Sequence, residues 1–188
     1  MKNGLKVIIA VAAVILVIVG IVAGSYNSLV TAQTAVETKQ ADIQTQLQRR
    51  ADLIPNFVST VKGYTKYEQE TLTAVTEARA KVGNANSAQS LSEADEELDK
   101  AISVWVNAVT EAYPDLKANS NYIALQDELA GTENRIAVAR KDYNEAVQSY
   151  NAMIKKFPKN IIAGMFGFEK ADFFNADSSA QTVPSVVF

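Results

Sequence analysis

The chain contains neither cysteine nor histidine among its 188 residues. The absence of cysteine excludes disulfides and thiol nucleophiles, and the absence of both excludes imidazole catalysis and zinc sites built on these residues. Glycine and proline are scarce, with 8 and 4 residues, which suits an all-helical protein because both destabilise a helix interior. The formal net charge of -3 argues against a nucleic-acid-binding protein, which normally carries a basic patch.

Common catalytic motifs are also missing. The sequence has no G-x-x-x-x-G-K-[ST] phosphate loop, no G-x-S-x-G nucleophile elbow and no G-x-G-x-x-G dinucleotide turn. A carboxylate-rich metal site in a helical bundle would need Glu-x-x-His pairs, which a chain without histidine cannot supply. We therefore predict a protein that is not an enzyme and binds no cofactor and no metal.

The most prominent feature of the sequence is an uncharged apolar run from Val7 to Ala23. It is about long enough to cross a bilayer core of roughly 30 Å, so we predict a membrane anchor. A cleaved signal peptide and a buried soluble helix are the alternatives. Lys2 and Lys6 precede the run, whereas the first cation after it is Lys39. The positive-inside rule then predicts a cytoplasmic N-terminus and a domain outside the cytoplasm.

Beyond this run, the apolar positions recur at helical spacing and predict a long first helix. The helix is expected to reach about Lys62 with Pro55 inside it; a break between Asp52 and Pro55 is the alternative, since proline removes a backbone hydrogen bond. Gly63 is a suitable C-terminal breaker. Its buried face is predicted to contain Leu29, Val36, Ile43, Leu47, Ile54, Val58 and Val61.

Three further helices are predicted. A second runs from about Thr65, where residues 65–68 resemble a capping box, to Val82 before Gly83. A loop is expected over 84–90. A third helix follows a capping box at Ser92 and Asp95 and ends before Pro114.

The last helix is the longest uninterrupted amphipathic pattern after the anchor, from Tyr122 to Phe157, with cap residues at 119–121 and Pro158 as its stop. The predicted fold is thus all-α: an N-terminal transmembrane helix followed by an antiparallel up-down four-helix bundle with two long and two short helices. The predicted parts are an anchor (1–24), the bundle (25–158), an apolar amphipathic segment near the bundle base (159–174) and a flexible tail (175–188).

Three arginines, Arg50, Arg79 and Arg140, fall close to the apolar stripes of their helices. A charge at such a position is costly unless it is paired and hydrogen-bonded. Counting residues from the turns predicts Glu133 and Asn134 as neighbours, with Asp52 and Glu77 behind them. We predict a structural polar layer that fixes helix register; arginines that reach to the rim, or a ligand site, are the alternatives.

The segment after Pro158 is dense in apolar residues. It either folds back on the bundle base or rests on the membrane surface, where aromatic residues are favoured. Its lysines are balanced by its acids, so electrostatic attraction to anionic lipid is expected to be weak. The candidate membrane-interface residues are Ile161, Ile162, Met165, Phe166 and Phe168.

Several stretches resemble the LemA family. They are YNSLV (26–30), QRRADLIPNFV (48–58), VKGY (61–64), EQETLTAVTEAR (68–79), AYPDLKAN (112–119), ENRIAVARKDYN (133–144), FPKNIIA (157–163) and FGF (166–168). The resemblance covers the chain from the anchor to about Phe174, in order. It implies a bacterial single-pass membrane protein with a helical bundle and no established catalytic activity.

The expected function is therefore that of a non-enzymatic, membrane-anchored interaction or scaffold module in the bacterial cell envelope. The alternative is a lipid-engaging or membrane-shaping protein that uses residues 161–174. Expected partners are membrane lipid through residues 7–23 and an envelope protein or a second copy of the chain, with no nucleic acid. The expected location is the bacterial cytoplasmic membrane.

Overall fold

The computed structural model describes residues 2–61 and 69–174. Within these ranges the protein is all-α, without strands. Its elements are α1 (Lys2–Val61), α2 (Gln69–Asn84), α3 (Ala88–Ala112), a 3-10 helix (Pro114–Ala118), α4 (Ser120–Met153) and α5 (Lys159–Phe166). The expected breaker at Gly63, the cap at 65–68 and the tail at 175–188 lie outside the described residues.

The first helix is continuous, as the apolar spacing predicts. Pro55 lies inside α1, so the alternative boundary at Asp52–Pro55 is wrong. The large apolar side chains from Leu5 to Ile21 are each more than half exposed, which is not what a buried soluble helix would show. Of the described helices, α1 alone is long and apolar enough to cross a membrane.

The boundaries around α3 correct the sequence-based interpretation. The connection from α2 is shorter than expected, because Asn84 is still in α2 and α3 begins at Ala88. The Ser87 side chain accepts from the Ser90 backbone N–H, and the Ser90 side chain accepts from that of Ser87. This reciprocal capping box satisfies two N–H groups at the start of α3. The expected cap at Ser92 and Asp95 is wrong, since Asp95 is a buried residue in the helix interior.

The ends of α4 and α5 agree more closely with the predicted boundaries. Asn119 caps α4, because its Oδ1 accepts from the backbone N–H groups of Asn121 and Tyr122. The helix ends at Met153 rather than Phe157, and the Phe157 side chain is 80% exposed instead of buried. Pro158 precedes α5, which Gly167 closes at a φ of 74°, a left-handed conformation that glycine adopts without strain.

The described residues divide into two compact units. Unit 1 contains Met1–Thr38 and Glu145–Ala171, and unit 2 contains Lys39–Asn144 and Asp172–Phe188. In unit 1, Leu29 forms a small core with Ile162 and Ala163 of α5. Val22, Met153, Ile154 and Phe168 pack against this core.

The core of unit 2 takes buried side chains from α1, α2, α3 and α4. At its centre Phe57 is 1% exposed, and its ring lies 5.2 Å, centre to centre, from the rings of both Trp105 and Tyr122. Contacts also join α2 to α3. The up-down order of four helices and the four-part division of the chain remain predictions.

Candidate functional site

The main polar cluster of unit 2 is centred on Arg50, whose side chain is 5% exposed. Its Nη1 donates to Glu133 Oε2 at 2.6 Å, and its Nη2 donates to Asp99 Oδ1 at 2.6 Å. One guanidinium from α1 therefore bonds carboxylates of both α3 and α4. Short charge-assisted bonds of this kind offset the cost of burying the arginine.

Asp95 of α3 is the second buried charge, with a side chain that is 1% exposed. Its Oδ2 accepts a hydrogen bond from Arg140 of α4. Its Oδ1 lies 4.0 Å from Arg50 Nη1, beyond hydrogen-bonding distance. We call Arg50, Asp95, Asp99, Glu133 and Arg140 the polar layer.

The five residues predicted for this layer do not all meet. Arg50, Glu133 and Arg140 belong to the polar layer, as described above. Arg79 instead pairs with Asp52 at 3.3 Å, and both of these side chains are more than 40% exposed. Asn134 lies on the exposed surface of α4. That the layer fixes helix register stays a prediction.

The two aspartates of the polar layer were not among the predicted site residues. A signal for Asp95 was available, because it occupies a regular place in the buried stripe of α3, four residues after Leu91 and three before Leu98. A cap at Ser92 and Asp95 would put Asp95 in the first turn of the helix, whereas α3 begins at Ala88 and buries Asp95 in its interior.

The last described residues cover the polar layer. The Arg140 guanidinium carbon lies 5.4 Å from the centre of the Phe174 ring, a cation–π contact. Asn144 donates to the Phe174 carbonyl at 3.1 Å and accepts from its N–H at 2.9 Å. The Tyr143 hydroxyl donates to the Asp172 carbonyl at 2.9 Å. Phe174 is 4% exposed as a result.

The space enclosed at the polar layer is small. A cavity of about 40 Å³ is lined by the four acids Asp95, Glu96, Asp99 and Glu133, together with Ser92, Arg140 and Phe174. This volume admits one or a few water molecules but no organic substrate. In the described part of the chain, no group of three or more acidic side chains is arranged to hold a metal ion. The geometry therefore favours a structural ionic layer over a ligand site.

The predicted membrane-interface residues of unit 1 separate into two sets. Ile162 is 4% exposed and belongs to the core with Leu29, and Phe168 packs against that core. Ile161, Met165 and Phe166 are between 51% and 70% exposed. The segment thus packs against Leu29 with one face and exposes the other, and the alternative that it rests on the membrane surface stays a prediction.

A second asparagine binds main chain in unit 1. Asn151 donates to the Ala171 carbonyl at 2.8 Å and accepts from the Ala171 N–H at 2.9 Å. Asn144 and Asn151 are one heptad apart on α4 and make the same paired contact, each with one residue of the C-terminal segment. Neither asparagine is among the predicted site residues.

An exposed apolar helix, in a structure that is all-helical over its described residues and has a buried ionic layer, defines a class: helical proteins suited to membrane anchoring. Comparison with known proteins makes this specific. The LemA family model matches residues 39–188, and the chain belongs to the LemA family.

Named relatives support the assignment. The chain is 29% identical to Protein LemA of Metamycoplasma hominis over 153 residues, which cover 81% of this chain and 67% of the relative. It is 25% identical to Magnetosome protein MamQ 2 of Paramagnetospirillum magneticum over 182 residues, covering 84% of this chain and 67% of the relative. Neither the family name nor these names denote an enzyme.

The polar layer makes a first prediction, on stability. Replacing Asp95 with Ala removes a hydrogen-bonding partner of Arg140 and one of the carboxylates around Arg50. We expect a loss of about 3–5 kcal/mol in the free energy of unfolding. The matched control, Arg79→Ala, removes an exposed ion pair and should cost less than about 1 kcal/mol. Urea unfolding of the full chain, followed by Trp105 fluorescence, measures both; equal losses would show that the layer has no special role.

The residues that cover the polar layer lead to a second prediction, on how the free energy of unfolding depends on pH. Burial raises the pKa of Tyr143 above its usual value, and the negative charge of Asp172 raises it further. An unfolded tyrosine ionises near pH 10, at about its ordinary pKa. The unfolded state therefore loses this proton first, and the free energy of unfolding falls as the pH rises above about 10.

Tyr143→Phe should lower stability by about 1 kcal/mol at pH 7, because the hydrogen bond to Asp172 is lost. The same variant should lose less stability than the parent between about pH 9 and 11. The pKa values of Lys39 and Tyr150 are also raised, so some alkaline loss should remain. If the free energy of unfolding of the variant fell with pH as steeply as that of the parent, Tyr143 would not be a source of the alkaline loss.

Proposed function

We propose that this chain is a non-enzymatic, membrane-anchored protein that acts as an interaction or scaffold module in the bacterial cell envelope. The observation that carries the proposal is the exposed apolar stretch of α1, whose large side chains from Leu5 to Ile21 find no cover in the protein. Exposed apolar surface of this extent needs a lipid or protein environment. Membership of the LemA family supports the same reading.

The remaining features of the proposal follow from the sequence. The helices after the anchor form an antiparallel up-down four-helix bundle, and the polar layer sets its register. The N-terminus is cytoplasmic and the bundle lies outside the cytoplasm. The partner is an envelope protein or a second copy of the chain.

The orientation is tested with single cysteines, because the chain has none of its own. Lys2→Cys and Ser185→Cys are made separately in the full-length protein and treated with a membrane-impermeant maleimide in intact cells. We expect labelling at 185 only, with lysed cells as the accessibility control. Labelling at 2 only would reverse the orientation, and loss of residue 2 from the mature protein would identify the anchor as a cleaved signal.

The interaction role is tested by photo-crosslinking in intact cells. Val138 is a suitable position for a photoreactive residue, because it is 60% exposed and lines an open depression of about 410 Å³ with side chains of α1 and α4 in unit 2. We expect a discrete adduct with one envelope protein or with a second copy. The control position is the exposed Glu111 of α3. Adducts with lipid alone, or identical adducts from both positions, would contradict the proposal.

A second candidate function is lipid engagement or membrane shaping by residues 161–174. It is favoured by the exposed face of α5, where Ile161, Met165 and Phe166 are uncovered. Their replacement by serine, which leaves the buried Ile162 and Phe174 unchanged, should abolish any reshaping of vesicles by the full-length protein.

A further inference from the structure

In unit 1, α5 lies next to the C-terminal end of the apolar stretch of α1. The Phe166 ring lies 4.9 Å from that of Tyr26, and Phe168 lies 5.7 Å from it, both centre to centre. Phe166 also lines an apolar groove of about 350 Å³ together with residues of the last two turns of the apolar run. The other lining residues are Ile18, Val19, Val22, Ala23, Tyr26 and Asn27. The C-terminal end of α5 therefore lies beside the span itself.

The other end of α5 lies further along α1. Lys159 Nζ donates to Ser28 Oγ at 2.7 Å. Ser28 is five residues beyond Ala23, about 7.5 Å along a helix. The headgroup layer on each side of a bilayer is roughly 5–7 Å thick. With the span ending at Ala23 and close to the bilayer normal, Lys159 lies at the level of lipid phosphates and Phe166 at the edge of the acyl chains.

Charge on this part of the chain has one sign. In the ranges 7–36 and 146–168 the charged residues are Lys155, Lys156 and Lys159, and there is no acid. Lys155 and Lys156 are exposed in the turn between α4 and α5, beside the exposed Phe157. The expected weak attraction to anionic lipid is a prediction for the segment after Pro158, where Lys159 and Lys170 are balanced by Glu169 and Asp172; Lys155 and Lys156 precede that segment and add two positive charges. We call residues 155–159 the lysine turn.

We propose that the lysine turn and α5 form a binding surface for anionic phospholipid, with the lysines on headgroup phosphates and Ile161, Met165 and Phe166 against the acyl chains. Continuity with the span selects lipid as the occupant, because the groove that Phe166 lines has the membrane-spanning residues as its wall. Cations beside an apolar face are the composition that binds anionic membrane surfaces. This inference rests on the proposed membrane anchor.

The depth of α5 is measured on the full-length protein in phosphatidylcholine vesicles. Single cysteines replace Val14 in the span, Met165 in α5 and the exposed Lys117 in unit 2, and each carries the same environment-sensitive fluorophore. Lipids with a spin label near the start of the acyl chain or, in separate vesicles, near its end act as quenchers, because Val14 lies nine residues, about 13.5 Å, from Ala23. We expect quenching at 14 and at 165 and none at 117. No quenching at 14 would overturn the proposed anchor, whereas quenching at 14 without quenching at 165 would overturn this inference alone.

Preference for anionic lipid is measured with the fluorophore at 165. Spin-labelled phosphatidylglycerol and spin-labelled phosphatidylcholine are compared as trace quenchers in the same vesicles. One lysine–headgroup contact should enrich the anionic lipid roughly fivefold. The combined variant Lys155→Gln, Lys156→Gln and Lys159→Gln should quench equally with both lipids.

The control variant removes the same charge from unit 2, through Lys81→Gln, Lys100→Gln and Lys117→Gln, and should keep the preference. Five of the six lysines are exposed, and Lys159 is half-buried at the start of α5, so both variants should fold. Equal quenching by the two lipids in the parent, or a preference that survives in the lysine-turn variant, would overturn the proposal.

Discussion

The cost of burying charge is the constraint on which unit 2 depends. Arg50 occupies a position in the apolar stripe of α1, three residues after Leu47 and four before Ile54, and Asp95 occupies the equivalent place in α3. Either charge alone would destabilise the core by several kcal/mol, as removing one partner of a buried pair does. Together with Asp99, Glu133 and Arg140 they form ion pairs between α1, α3 and α4. Such a layer contributes little net stability compared with an apolar core. That it excludes other helix registers stays a prediction.

The last described residues are held by hydrogen bonds between asparagine side chains and the backbone. Residues 168–174 have no regular secondary structure, so their backbone groups need partners that a helix would supply internally. The Asn144 and Asn151 side-chain amides provide a donor and an acceptor each, and they bind the carbonyl and the N–H of Phe174 and Ala171 respectively. In unit 2 this contact holds the Phe174 ring over the Arg140 guanidinium.

Membership of the LemA family and an exposed apolar helix place this protein among helical proteins suited to membrane anchoring. The small volume beside the polar layer leaves no room for a substrate there. The exposed residues include the apolar stretch of α1 and, beside the exposed Phe157, Lys155 and Lys156 of the lysine turn. These two features are the basis of the proposals for binding to lipid and to other proteins.

The sequence by itself determined the all-helical class, the apolar N-terminal stretch and the continuity of α1 through Pro55, because helical periodicity is a local effect. It also determined Glu133 as a pairing partner of Arg50, because a buried charge needs an opposite charge close by. Tertiary structure decided the rest. Asp95 was misread because whether a carboxylate caps a helix or lies in its interior depends on where the helix begins, and that was set by Ser87 and Ser90. Arg79 was placed in the layer by periodicity, yet it pairs with Asp52 at the surface, since the angular position of a side chain does not say which neighbour covers it. The roles of Asn144 and Asn151 could not be predicted from the sequence, because their partners are main-chain groups, which every residue has.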